Sequence, residues 1–131
     1  MDRYDLIHKI DVAFSKVLRD TRKVCEIGNG RCGFETLQVS HIYSKGSTGL
    51  ACRWNELNVM LLCNEHHRAW EVYDESKRDD ILRKRLTEDQ YHALQVSRSE
   101  IVKWSTSELE LVLKTFTDLL RRNKQYAPPK K

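Results

Sequence analysis

Four soft metal ligands sit in two short pairs, Cys25 and Cys32 ahead of a first expected strand and Cys63 and His66 behind a second. A tetrahedral ion can be closed only if both turns are brought to one point, so the pairs constrain the fold strongly. The second pair has C-x2-H spacing, with which one tight turn aims two side chains at an ion, whereas the first, C-x6-C, is wider than the usual C-x2–4-C. A structural zinc of Cys3His type is the expected metal, and a chain of this size gains from such a staple. Cys52 is the spare thiol and an alternative to Cys32 as ligand. The opening residues, MDRYDLIHKID, mix charged with apolar residues and do not resemble a signal peptide, so the thiols are expected to bind metal or stay reduced.

The 131 residues are 40% apolar and 32% charged, which supports one modest core and excludes a low-complexity or collagen-like chain. No apolar run reaches the ~20 residues that cross a bilayer, so no membrane partner is expected. Leu6, Ile7, Ile10, Ala13, Phe14, Val17 and Leu18 recur at helical spacing and predict an amphipathic helix over 2–20. The turn formers of CEIGNGRCG allow no regular element, and residues 34–43 predict a strand that ends in a glycine-rich turn at 45–49. Residues 50–58 read as an irregular connection, Val59–Leu62 as a short buried strand, and a helix starts near Asn64. From Ser76 the chain reads as helical, with capping boxes at Thr87/Gln90 and Ser105/Glu108. The last helix carries Leu109, Val112, Leu113, Phe116, Leu119 and Leu120 on one face, leaving a homodimer through the C-terminal helices open. The expected class is α+β, a single domain over 1–131 with a core at about 21–75, a helical part at about 76–126 and a basic tail at 127–131.

Around the ligand pairs lies a second set of residues: Ser40 and His41 closing the first strand, Asn58 opening the second, and His67 and Glu71 on the helix. The four-residue step from His67 to Glu71 stacks both side chains on one helical face, as two ligands of one cation require. Through LQVSHIYSKG and RWNELNVMLLCNEHHRAWE the chain resembles the HNH (ββα-metal) nucleases, which place a histidine at the end of the first strand, an asparagine in the loop and a histidine on the helix. The upstream run IDVAFSKVLRDTRKVC, with VSHIYSKG and RWNELNV, is similar to phage recombination endonucleases of the NinG/Rap kind. The likeness extends to about Glu71 and no further.

The resemblance implies a small ββα-metal core with a zinc knuckle, flanked by an N-terminal helix and a C-terminal helical segment. It implies phosphodiester hydrolysis, with His41 as general base and Asn58 orienting its imidazole by a side-chain or backbone contact. His67, with Glu71 and Ser40, would hold a catalytic Mg2+ or Mn2+, while Cys25, Cys32, Cys63 and His66 hold zinc. Two departures stand out. Ser40 occupies a place where family members often carry Asp or His, and the second ligand pair is C-x2-H with His67 directly after it. Adjacent helix residues point ~100° apart, so His66 and His67 must divide the two roles, and the position after the knuckle favours His67 as the catalytic ligand. Asp74 and Glu75 are alternatives to Glu71.

A net charge of +4 permits a nucleic-acid partner without demanding one. Lys45, Arg53 and Arg68 lie near the catalytic set and are the candidate phosphate contacts. Trp70 reads as core, Trp54 is open to a stacking role, and His8 and His92 read as solvated. The expectation from the resemblance is a metal-dependent DNA endonuclease acting on branched recombination intermediates such as Holliday junctions, in the cytoplasm of a bacteriophage's host. A generic HNH nicking or homing-type endonuclease and a zinc-stapled DNA-binding module with a decayed nuclease site are the alternatives.

Overall fold

The structure is a computed structural model that describes residues 2–22, 24–28, 32, 37–43, 52–100 and 102–125. Among these are five α-helices and one two-stranded antiparallel sheet, an α+β arrangement. Helix α1 spans Arg3–Thr21, β1 Gln38–His41, β2 Val59–Leu62, α2 Asn64–Val72, α3 Glu75–Arg85, α4 Glu88–Ser99 and α5 Thr106–Gln125. A 3-10 turn, Glu56–Asn58, lies in the connection read as irregular. The strand expected over 34–43 is regular at Gln38–His41, and its first residues, the 45–49 turn with Lys45, and the 127–131 tail lie outside the described residues. No helix among the described residues is long and apolar enough to cross a membrane.

The chain forms two compact units, Met1–Lys23 with Lys103–Lys131, and Val24–Val102. These cut the chain differently from the sections expected from sequence, because α3 and α4 belong with the sheet while α5 pairs with α1. In the first unit Asp2 caps α1 by accepting from the Tyr4 N–H at 2.9 Å, and Leu6, Ile10, Ala13, Phe14 and Leu18 form its buried stripe. Arg3 donates to the Trp104 carbonyl at 2.7 Å, Phe14 meets Phe116 with ring centroids 5.4 Å apart, and Asn123 donates to Asp20 at 3.4 Å. Start meets start and end meets end, so α1 and α5 run parallel. The α5 stripe, with Leu109 fully buried, therefore has a partner helix in its own chain.

In the second unit β1 and β2 pair in the register Gln38↔Leu62 to His41↔Val59. All four residues of β2 are buried, as an uninterrupted apolar run requires. The core joins Ile42, Met60, Leu62 and Trp70 to Leu82 of α3, Leu86 at its C-cap and Leu94 of α4. Asp74 caps α3 through the Lys77 N–H at 2.9 Å, and the Thr87/Gln90 box opens α4 with both reciprocal bonds made. Glu26 behaves as a one-residue extension of the sheet: its N–H donates to the Leu61 carbonyl at 2.9 Å, and its carboxylate accepts the Leu61 N–H at 2.6 Å. The other carboxylate oxygen accepts from Arg85 at 3.2 Å, and Arg85 also donates to the carbonyl of Val59 at 2.9 Å. Both side chains are only about a fifth exposed, 18% for Arg85 and 20% for Glu26.

Removing Glu26 leaves a half-buried guanidinium and a strand N–H unanswered. Glu26→Ala should therefore lower unfolding free energy by about 1–3 kcal/mol in urea titration, and Glu26→Gln, whose amide oxygen can still accept the Leu61 N–H, should recover part of it. Equal stability of all three proteins would show that the bridge contributes nothing.

Candidate metal centre and active site

Cys63 ends β2 and starts α2. It is the N-cap of the helix, and its sulfur accepts the His66 N–H at 3.5 Å. The helix thereby turns His66 back toward the same sulfur, with the ring nitrogen Nδ1 3.2 Å from Cys63 Sγ. Cys25 and Cys32 close the group from the preceding turn, their sulfurs 3.5 and 3.2 Å from His66 Nδ1, and Cys32 Sγ lies 3.6 Å from Cys63 Sγ. All four ligand atoms fall within 4.8 Å of one another. Ligands at ~2.3 Å (sulfur) and ~2.0 Å (nitrogen) from a tetrahedral ion stand roughly 3.5 Å (S···N) or 3.8 Å (S···S) apart, so the cluster can hold a metal ion such as zinc. The ligand set is Cys25, Cys32, Cys63 and His66. Cys52 instead lies fully buried in the core beside Ser97.

Gly28 is the residue of this turn that sequence reasoning missed. A Cβ there would stand 1.9 Å from Cys32 Sγ and 3.3 Å from His66 Cε1. Only a residue without a side chain lets the turn close over the ligands. The thiols also divide electrostatically. Burial works to raise Cys25, yet N–H groups of Cys63, Ile27 and Gly28 and the Cys32 thiol outweigh it and hold Cys25 below its ordinary value. Cys32, desolvated and hydrogen-bonded to the other two sulfurs, is pushed up to about 12. Three sulfurs this close resist becoming thiolates together unless a cation joins them.

Four of the second set, Ser40, His41, His67 and Glu71, line a cleft of about 860 Å3 in the same unit, and Asn58 lies outside its lining. His41 Nε2 lies 2.9 Å from the carbonyl oxygen of Arg53. A carbonyl only accepts, so Nε2 is the donor in this contact. The sequence reading assigned the orienting contact to Asn58. In the structure Asn58 is fully buried, accepts the Tyr43 N–H at 2.9 Å, and donates to the carbonyls of Tyr43 at 3.0 Å and Cys52 at 3.1 Å. It fastens the end of β1 to the 52–58 loop, and that loop presents the Arg53 carbonyl. Asn58 thus supports the His41 contact at one remove.

On α2, His67 and Glu71 face each other as their spacing requires, Nε2 to Oε1 3.3 Å. Two ligands of an octahedral ion at ~2.1 Å stand roughly 3 Å apart, so the pair fits a shared cation. His67 Nδ1 is buried and has no hydrogen-bond partner among the described residues. Ser40 is buried at 4% exposure, on the strand face it shares with Gln38, whose side chain reaches Asn64 at the start of α2. Among the described residues, no third His, Cys, Asp or Glu converges with His67 and Glu71 as the zinc-type ligands do. Arg78 crosses from α3 to the far end of α2, donating to the Trp70 carbonyl at 2.8 and 3.0 Å and to that of Glu71 at 3.1 Å, which fixes the last helical turn.

Of the candidate phosphate contacts, Arg53 is half-buried, Arg68 is exposed on α2, and Lys45 lies outside the described residues. Trp70 is core, Trp54 is half-buried, and His8 and His92 are exposed. Comparison of the chain with protein-family models, curated proteins and solved structures finds no match to any of them.

Elemental analysis after mild dialysis should find about one zinc per chain. Cys63→Ser and Gly28→Ala should each lose that metal and melt well below the parent protein, the first by removing a ligand and the second by forcing the turn open. A metal-free parent with an unchanged melting curve would remove the structural role of the cluster.

Proposed function

We propose that the chain is a metal-dependent DNA endonuclease of HNH type, with His41 as its general base. One observation carries the reading: a histidine at the end of β1, with Nε2 against the Arg53 carbonyl, shares a cleft with the His67–Glu71 pair. Neither a buried structural histidine nor a surface ion pair accounts for both halves. The motif order His41, Asn58, His67 on strand, loop and helix adds the family resemblance, and the run upstream of Cys25 adds branched DNA as the implied substrate.

The proposed roles are these. His41 Nδ1 accepts a proton from the attacking water, and the carbonyl on Nε2 stabilises the imidazolium that results. Asn58 holds the loop that carries this carbonyl. His67 and Glu71, with Ser40 nearby, would hold Mg2+ or Mn2+, which when bound supplies charge neutralisation at the phosphate and the departing oxygen. The Cys3His cluster anchors the N-terminal end of α2 and Arg78 its C-terminal end, so His67 and Glu71 sit on a helix braced at both ends. Arg53 and Arg68 lie on the elements that flank the cleft and are the proposed phosphate contacts there.

Ser40 supports the second reading, a zinc-stapled DNA-binding module without cleavage, because a hydroxyl is a weak replacement for a carboxylate or imidazole ligand. Metal-stimulated cutting separates the two. On a panel of branched and linear DNAs with EDTA, Mg2+ or Mn2+, the parent protein should cut only with added metal. His41→Ala should keep zinc, melting temperature and DNA affinity while losing about 10²–10⁴-fold in rate. His67→Ala should also stop cutting, but raised Mn2+ should restore part of its rate and none of that of His41→Ala. Binding without cutting in any metal would decide for the second reading, and near-parental cutting by His41→Ala would remove the base assignment.

A further inference from the structure

The cleft has a wall that neither the ligand cluster nor the histidines explain. It is made by the last turns of α4, where three successive polar residues address the segment around His41. Ser97 accepts from Asn55 at 3.4 Å, in the loop that carries the Arg53 carbonyl. Gln95 donates to the Tyr43 hydroxyl at 2.7 Å, two residues after His41. Arg98 lays its guanidinium over the Tyr43 ring, 3.8 Å from the centroid, and donates to the Gln95 side-chain oxygen Oε1 at 3.3 Å.

The three arginines of α3 are committed. Arg78 is bound to the carbonyls that end α2, Arg83 is paired with Asp79 at 2.7 Å and stacked on Tyr91, and Arg85 is paired with Glu26. Arg98 differs. It lines the cleft, is exposed, and makes no ion pair with an acid among the described residues. One of its five N–H donors goes to Gln95, and the ring beneath holds the plane of the fork without consuming donors. A planar cation fixed in orientation, with donors left over, suits a phosphate oxygen pair.

We propose that Arg98, stacked on Tyr43 and braced by Gln95, binds the phosphodiester that neighbours the scissile one on the nucleic-acid strand in the cleft. The proposal rests on the nuclease reading. It adds a binding residue from the helical half of the chain, where the motif resemblance ends. The cleft is thereby polarised, with Glu71 and Glu75 on its lining suited to a cation and Arg98 suited to the strand's next negative charge.

The test uses the full-length chain carrying His41→Ala, so that nothing is cut, and labelled DNA followed by anisotropy across a salt series. Adding Arg98→Ala should weaken binding roughly tenfold or more and reduce the slope of log K against log salt by about 0.7–0.9, the share of one phosphate contact. Arg98→Lys should keep the slope and recover only part of the affinity, since an ammonium cannot reproduce the stacked fork. Tyr43→Leu should weaken binding with the slope unchanged, because the charge stays and only its fixed orientation goes. A merely structural role for Arg98 would lower affinity and melting temperature together and leave the slope alone, which would overturn the proposal. Unchanged affinity and slope in Arg98→Ala, with the wild-type chain binding and cutting DNA, would overturn it while leaving the nuclease reading intact. A wild-type chain that neither binds nor cuts DNA would overturn both.

Discussion

Cys63 holds three structural tasks in one residue: it ends β2, its sulfur caps α2, and the same sulfur belongs to the Cys3His cluster. The direction in which α2 leaves the sheet is therefore tied to the position of the turn bearing Cys25 and Cys32. Everything on α2 inherits that geometry. His66 is turned into the cluster at the helix N-terminus, and His67 is rotated away from it into the cleft. Adjacent positions on one helix thus serve two sites, because a helix separates their directions by ~100°.

The sheet is very small for the work it supports, and polar bridges replace the extra strands it lacks. Glu26 answers the free edge of β2 with both its backbone and its carboxylate, and Arg85 ties the same carboxylate to the Val59 carbonyl. On the other strand, Asn58 uses its whole amide to join the end of β1 to the 52–58 loop. These are buried or half-buried groups with partners in place, the condition under which polar groups rigidify a small core instead of weakening it. A histidine in such a frame is held by packing and hydrogen bonds at several removes, and this favours a fixed ring over a mobile one.

Three helices that look alike in sequence have unlike employment. The residues from Ser76 onward read as one helical annex, yet α3, its C-cap and α4 contribute Leu82, Leu86 and Leu94 to the core beneath the cleft, whereas α5 runs parallel to α1. A parallel pair cannot be joined by a short turn. The whole of Val24–Val102 lies between these two helices in the chain, and so α1 finds its partner only after that unit has been traversed. Parallel pairing also gives the apolar stripe of α5 an occupant that periodicity cannot identify, since a stripe records that a face is buried and not by what.

What the sequence determined by itself is whatever short-range chemistry encodes. Soft ligands at turn spacing announced the cluster, an uninterrupted apolar run announced β2, side-chain caps announced the starts of α4 and α5, and a four-residue step announced the His67–Glu71 pair. Tertiary structure alone decided which groups meet across distance. The Arg53 contact on His41 is made by a backbone carbonyl, which every residue possesses and no sequence marks. Gly28 is required because Cys32 returns over it, and that closeness exists only once the ligands have gathered. Arg98 reads as one basic residue among many until α4 folds back and sets it on Tyr43. Local patterns report hydrogen-bonding and burial needs within a few residues, whereas the partners that meet those needs are chosen by how the elements pack.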